Sequence, residues 1–281
     1  MLITLTNLQI FMHTHFWSLL SFFILFSFCR GAAEKTPSSI PATRPSPPPK
    51  PEVMIDSSIT KDYLTGQFMP EKHPDFVEIP AELANRKALY LRKEALQAYK
   101  KMQSAAKKEG VFFTILSATR NFNYQKGIWE AKWEGRRILS NGKNARTAYP
   151  DPVERALKIL EYSSMPGTSR HHWGTDIDLN NFNNSYFESG KGAREFTWLQ
   201  EHAGDYGFFR PYTAKGPKRP NGYNEEKWHW SYFPLADPMT KAAAELLKDE
   251  DISGFKGAET AVKIQVVKNY ILGVHPSPQQ E

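Results

Sequence analysis

The chain has one cysteine in 281 residues, Cys29, so no disulfide can form within the molecule. Stability must come from packing and from any metal the fold binds. Residues 1–29 contain no Lys, Arg, Asp or Glu, and from Phe16 to Phe28 only Ser18, Ser21 and Ser27 interrupt an apolar run. That run is short for a membrane span of about 20 residues and has the length of a signal-peptide core. A positive flank ahead of it is missing, and a start at Met12 would place only His13 and His15 there. Gly31-Ala32-Ala33 offers small residues for a cut before Glu34, so residues 1–33 are read as a signal peptide or, uncleaved, as a membrane anchor. No internal repeat is visible. The formal charge of +6 is spread along the chain without a Lys/Arg block, which argues against nucleic-acid binding and allows weak attraction to a polyanionic matrix.

Proline, by contrast, is concentrated: seven fall between Pro37 and Pro51, among Ser, Thr and Ala. Such a stretch cannot bury enough apolar surface to fold and favours an extended, semi-rigid spacer. Residues 34–59 are read as this linker. Residues 60–281 then form one domain, and a chain with 40% apolar composition can build a single substantial core at that length. A monomer is expected.

Two segments of the domain concentrate metal-binding groups, SRHHWGTDIDLN from Ser169 and EKWHW from Glu226. A hydrolytic zinc takes three protein ligands, commonly imidazoles and a carboxylate, and leaves its fourth position to water. His171, Asp178 and His229 fill the three places. Glu226, three residues before His229, is the natural carboxylate to accept the water proton. Thr175 to Asn180 alternates polar and apolar, the pattern of a half-buried strand, with Asp176, Asp178 and Asn180 on one face and Ile177 and Leu179 toward the core. Gly174 lets the chain bend His171 back over the polar face. In a flat strand Glu226 and His229 would point to opposite sides, so that stretch must turn or bulge. Two histidines and a carboxylate also suit an Fe(II) oxygenase, which leaves Glu226 idle, or a metal-bearing binding module, which has no need of a base. A hydrolase uses all four groups.

In order and spacing, Ser-x-His-x-x-Gly-x-x-x-Asp and Glu-x-Trp-His resemble the signature of the VanY-type D-alanyl-D-alanine carboxypeptidases, zinc enzymes that trim bacterial peptidoglycan stem peptides. The likeness runs from about Tyr90 to about Tyr232, and SATRNFNYQ from Ser117 is similar to the family's Ser-x-x-Arg segment with a downstream Gln. The resemblance implies Zn2+ as cofactor and peptidoglycan stem peptides as partner. It implies a substrate- or oxyanion-holding role for Arg120, and substrate-side roles for Gln125 and Ser169. It further implies an exported protein of the periplasm or cell envelope and a D,D-carboxypeptidase activity, with L,D-carboxypeptidase or cross-link endopeptidase as alternatives. The implied fold is α+β, a small mostly antiparallel sheet flanked by helices, of the hedgehog/D-Ala-D-Ala peptidase kind. Asp176 departs from the pattern, since many members have a small apolar residue there. It is read as a carboxylate that orients an imidazole or faces solvent, with direct metal ligation in place of Asp178 as the alternative.

Pattern and punctuation predict helices over 81–109, 124–139, 193–202, 240–249 and 260–272, with a further helix starting at Asp151-Pro152. Strands are predicted from Val111, over 175–180, over 207–212 and from Trp228. The polar loop 213–223 is expected to form a mobile wall beside the site.

Overall fold

The computed structural model describes residues 58–276. The residues read as signal peptide or anchor, and nearly all of those read as linker, lie outside these residues. Among those described, no helix is long and apolar enough to cross a membrane. A short helix α1 (Lys61–Leu64) is capped by Thr60, whose hydroxyl accepts from the Tyr63 N–H. β1 (Phe76–Glu78) then pairs antiparallel with β2 (Tyr90–Arg92), placing Val77 opposite Leu91. The single helix expected over 81–109 therefore divides. Residues 81–83 make one 3-10 turn, Ala88 takes a φ of 58°, and α2 (Lys93–Lys108) begins only after β2. Helix-forming composition yields there because Leu91 is fully buried in the strand pair. Within α2, Leu96, Tyr99 and Met102 form a buried apolar stripe.

β3 (Ile115–Ser117) is the paired part of the apolar run from Val111. The Asn121 side chain caps α3 (Phe122–Trp133), which stops short of Leu139 where Gly135 turns at a φ of 78°. After α4 (Ala145–Ala148), α5 (Pro152–Ile159) starts as its sequence announces, with the Asp151 carboxylate accepting from the Glu154 N–H. β4 (Asp176–Leu179), α6 (Gly190–His202), β5 (Phe208–Phe209) and β6 (His229–Tyr232) follow. α7 (Phe233–Leu246) begins well before the expected Thr240 despite Pro234 and Pro238. A first-turn proline forfeits no intrahelical bond, and one further in forfeits a single bond. The last expected helix is α8 (Ala261–Ile264), broken by Gln265 at a φ of 51° and followed by a π turn, Val267–Ile271.

The strands β3-β4-β6-β5 form one antiparallel sheet in that order. On the central pair, Asp176 faces Ser231 and Asp178 faces His229, with Ile177 opposite Trp230 between them. Period-two alternation thus sends the polar pairs to one face and the apolar pair to the other. The apolar face packs on Tyr99 and Met102 of α2 and Trp198 and Leu199 of α6. The polar face is not solvated as a half-buried strand would have it, because all four residues of β4 are buried. A second core that includes Trp129, Trp173, Tyr212 and Met239 covers that side, and the Tyr212 ring lies 4.6 Å from that of His229. The result is the α+β class, with the sheet's polar groups held between two apolar cores.

Candidate metal centre

Asp178 and His229 meet as a register pair across β4 and β6. His171 comes from a 3-10 turn, Arg170–Trp173, that closes with Gly174 at a φ of 72°. A side chain at position 174 would collide with the Phe76 ring, so only glycine permits this return. Glu226 enters through a turn in which the His229 N–H donates to the Glu226 carbonyl at 3.3 Å. This is the bend that a spacing of three required. Asn180, expected on the same face, leaves the strand at a φ of 61° and accepts from the Thr114 N–H instead.

Each imidazole is held by its far nitrogen. His171 Nδ1–H donates to the Ala118 carbonyl at 2.8 Å, which leaves Nε2 as a lone pair 3.3 Å from Asp178 Oδ2. His229 Nε2–H donates to Asp176 Oδ2 at 2.7 Å, so its Nδ1 faces Asp178 Oδ1 at 3.1 Å and Glu226 Oε2 at 3.4 Å. Ligand atoms of His171, Asp178 and His229 all lie within 4.8 Å of one another. His171 Nε2 and Asp178 Oδ1 are buried without a hydrogen-bond partner among the described residues. Orphaned buried acceptors are unfavourable unless something electropositive joins them. Two imidazole lone pairs and a carboxylate are a zinc donor set, so the residues fit that metal.

Asp176 braces this set. Besides His229 it accepts from Arg170 Nε at 3.2 Å, and its other oxygen accepts from the Thr175 and Ser231 hydroxyls at 2.6 Å each. With both oxygens saturated, Asp176 orients His229 and leaves Asp178 as the available ligand. Burial alone would raise the Asp176 carboxyl, but Arg170 and His229 hold it well below the usual carboxylate range. The Asp178 carboxyl is likewise lowered, with burial outweighed by the two histidines. At His229 burial works downward, and the adjacent carboxylates of Asp176, Asp178 and Glu226 outweigh it in the metal-free protein. Burial raises the Glu226 carboxyl above its ordinary value.

Arg120, on the loop after β3, donates its N–H to the His171 carbonyl at 3.2 Å and lines the same cleft as the three candidate ligands and Glu226. The reading of the sequence missed what holds that loop. His172 donates Nδ1–H to the Arg120 carbonyl at 2.6 Å and accepts the Gly167 N–H at Nε2. Burial pushes its imidazole down to about 3, which keeps it neutral and structural. Gln125 and Ser169, expected on the substrate side, are not among the residues that line the cleft. Each is 1% exposed, Gln125 on the α3 face that turns into the core with Trp129 and Ser169 at the start of the His171 turn. Gln125 instead donates to the Ser164 carbonyl at 2.8 Å. The cleft has a volume of about 940 Å³, and Tyr162, Phe182 and Trp228 give it an aromatic border. Loop 213–223 contributes Tyr223 and is pinned from within by the buried Arg219, which donates to the carbonyls of Thr213, Asn221 and Tyr223.

The family model described as VanY, D-alanyl-D-alanine carboxypeptidase, matches residues 88–235, more than half of the 281. YodJ of Bacillus subtilis (strain 168), whose name carries a provisional carboxypeptidase assignment, is 30% identical over 200 residues, covering 69% of this chain and 63% of its own length. The chain therefore spans less than two thirds of that relative. An uncharacterized protein of Haemophilus influenzae is 27% identical over 109 residues, 38% of this chain and 70% of its own. Among solved structures, the LdcB LD-carboxypeptidase is 25% identical with a TM-score of 0.46, covering 64% of this chain and 77% of that one. A mutant of the vancomycin-resistance D,D-pentapeptidase VanY, in complex with Zn(II), is 21% identical with a TM-score of 0.42, covering 63% and 94%. Overlaps this partial add nothing to what the sequence match carries. By that match, over a span that contains Arg120, the three candidate ligands and Glu226, the chain belongs to the VanY family of D-alanyl-D-alanine carboxypeptidases.

Proposed function

We propose that the chain is an exported zinc peptidase that removes the terminal residue of peptidoglycan stem peptides, as a D,D-carboxypeptidase. The observation that supports this most is the convergence of two oriented imidazole lone pairs, the Asp178 carboxylate and the unliganded Glu226 carboxylate in one cleft. His171, Asp178 and His229 would hold the metal. Zinc, when bound, acidifies water and polarises a carbonyl. Glu226 accepts the proton of the attacking water and returns it to the leaving amine nitrogen. Its buried position, 6% exposed, keeps bulk water from competing for that proton. Arg120 pairs with the developing oxyanion or with the peptide's terminal carboxylate.

Metal analysis of the full-length protein should find one zinc per chain, lost in His171→Ala, Asp178→Ala and His229→Ala. Full retention by Asp178→Ala with loss in Asp176→Ala would move the ligand to Asp176. No metal in any form would end the zinc reading. Mass spectrometry of defined muropeptides after incubation with the zinc-loaded protein then assigns the bond cleaved.

Recognition of a terminal carboxylate makes a free C-terminus a requirement, because an amide cap removes the charge that a guanidinium reads. Wild type should cleave a stem pentapeptide and spare its C-terminal amide. Equal rates on both would exclude carboxylate recognition and favour an endopeptidase.

A further inference from the structure

The cleft contains more positive charge than the proposed chemistry uses. Arg120 follows β3, Lys132 lies in the last turn of α3, and Arg137 follows the Gly135 turn, and all three line the cleft. None of them forms an ion pair among the described residues. On α3, Gln125, Trp129 and Lys132 share a face at spacings of four and three. Gln125 and Trp129 are buried, and Lys132, half-buried at the end of that face, extends into the cleft. Its ammonium has one hydrogen-bond partner, the Ser163 hydroxyl. Glu161, another cleft residue, is committed to Lys158 at 3.0 Å, so it does not neutralise the cluster.

Arg120 adjoins the metal-site turn through its bond to the His171 carbonyl, and Lys132, held at Ser163, lies within the fields of Arg120, Arg137 and Glu226. Partly desolvated cations with no acidic partner are unfavourable alone and become favourable when a ligand brings the anion. We propose that Lys132 is a substrate-binding residue whose ammonium takes a carboxylate of the bound peptide in the cleft that Arg120 also lines. This rests on the peptidase reading above and adds a specificity element to it. Two carboxylates of a stem peptide have the required chemistry, the C-terminal one of the leaving residue and a side carboxylate on the acyl portion.

The titration of Lys132 supports the same conclusion. Burial, with Arg137 and Arg120, pushes the ammonium down to about 8, and the Glu226 carboxylate opposes them. Together with the uncharged Ser163 hydroxyl, these are the groups facing it. Because a lowered lysine loses its proton as pH rises through its pKa, carboxylate binding holds at neutral pH and weakens above pH 8. KM should therefore rise on the alkaline side in wild type and not in Lys132→Arg, whose guanidinium stays charged.

The deciding experiment measures kcat/KM of the full-length, zinc-loaded protein and of Lys132→Met and Lys132→Arg. The substrates are a stem pentapeptide, its C-terminal amide and a form with the side carboxylates amidated. In wild type, amidating the contacted carboxylate costs roughly 10- to 100-fold, the range of a charge-assisted hydrogen bond. Lys132→Met loses the same factor on the native peptide and becomes indifferent to that one amidation, and Lys132→Arg recovers most of it. The amidation that falls silent shows which carboxylate Lys132 holds. If Lys132→Met stays as sensitive as wild type to both amidations, the inference is overturned and the peptidase reading stands. If wild type cleaves none of the peptides, the peptidase reading itself fails and takes the inference with it.

Discussion

Glu226→Gln should lower turnover of stem peptides by about 10²- to 10⁴-fold, the usual cost of removing a general base, while zinc content and unfolding midpoint stay at wild-type values. The amide preserves the shape of the carboxylate but cannot accept the water proton. The fold around position 226 does not depend on the side-chain charge, since its backbone N–H donates to the Tyr212 carbonyl at 3.0 Å and its carbonyl accepts from His229. None of the three metal-directed donor atoms belongs to Glu226. Single-turnover cleavage of a stem pentapeptide with matched zinc loading is the measurement. A variant as fast as wild type would remove Glu226 from the chemistry. A binding module that carries the same metal would show no turnover to lose.

Asp176→Asn should be the most destabilising change at the site, by about 3–5 kcal/mol, because it leaves the buried Arg170 guanidinium without a counter-charge. Arg170 is 4% exposed and Asp176 fully buried, so water cannot replace the lost carboxylate. The remaining Arg170 bonds go to the neutral hydroxyls of Thr240 and Ser231, which do not compensate a charge. The asparagine also presents an NH2 group to one of the two donor sets that the carboxylate now accepts. His229 loses its fixed tautomer in consequence, and zinc affinity should fall about 10- to 100-fold. Denaturant unfolding at saturating zinc isolates the stability effect, and competition with a chelator gives the affinity. Wild-type values for both would show that Asp176 is not the brace.

The parts of this protein that were legible in its sequence depend on short-range periodicity. Alternation over Thr175 to Leu179 announced β4, the aromatic run after Trp228 announced β6, and the Asp151-Pro152 pair announced the start of α5. The turn between Glu226 and His229 followed from the parity of a strand. Elements whose type depends on distant partners were not legible. The residues that became β2 sit in helix-forming sequence, and the register with β1 that overrides this preference lies more than ten residues away. α7 was hidden by its two prolines, which are tolerated because of where in the helix they fall.

Residue type and spacing, with the family resemblance, already grouped His171, Asp178, His229 and Glu226 as candidates for one site. Imidazole and carboxylate are the groups that bind such metals, and a two-residue period puts Asp178 on the polar face of β4, where its register partner His229 meets it. Only the tertiary structure shows that both oxygens of Asp176 are taken while Asp178 keeps one without a partner among the described residues. Asp176 and Asp178 share that face and differ only in the partners that Arg170, Thr175 and Ser231 bring to the first and withhold from the second. The same holds along α3, where packing against the core hides Gln125 and leaves Lys132 in the cleft, because exposure belongs to the neighbours that a helix face meets and not to the residues it carries.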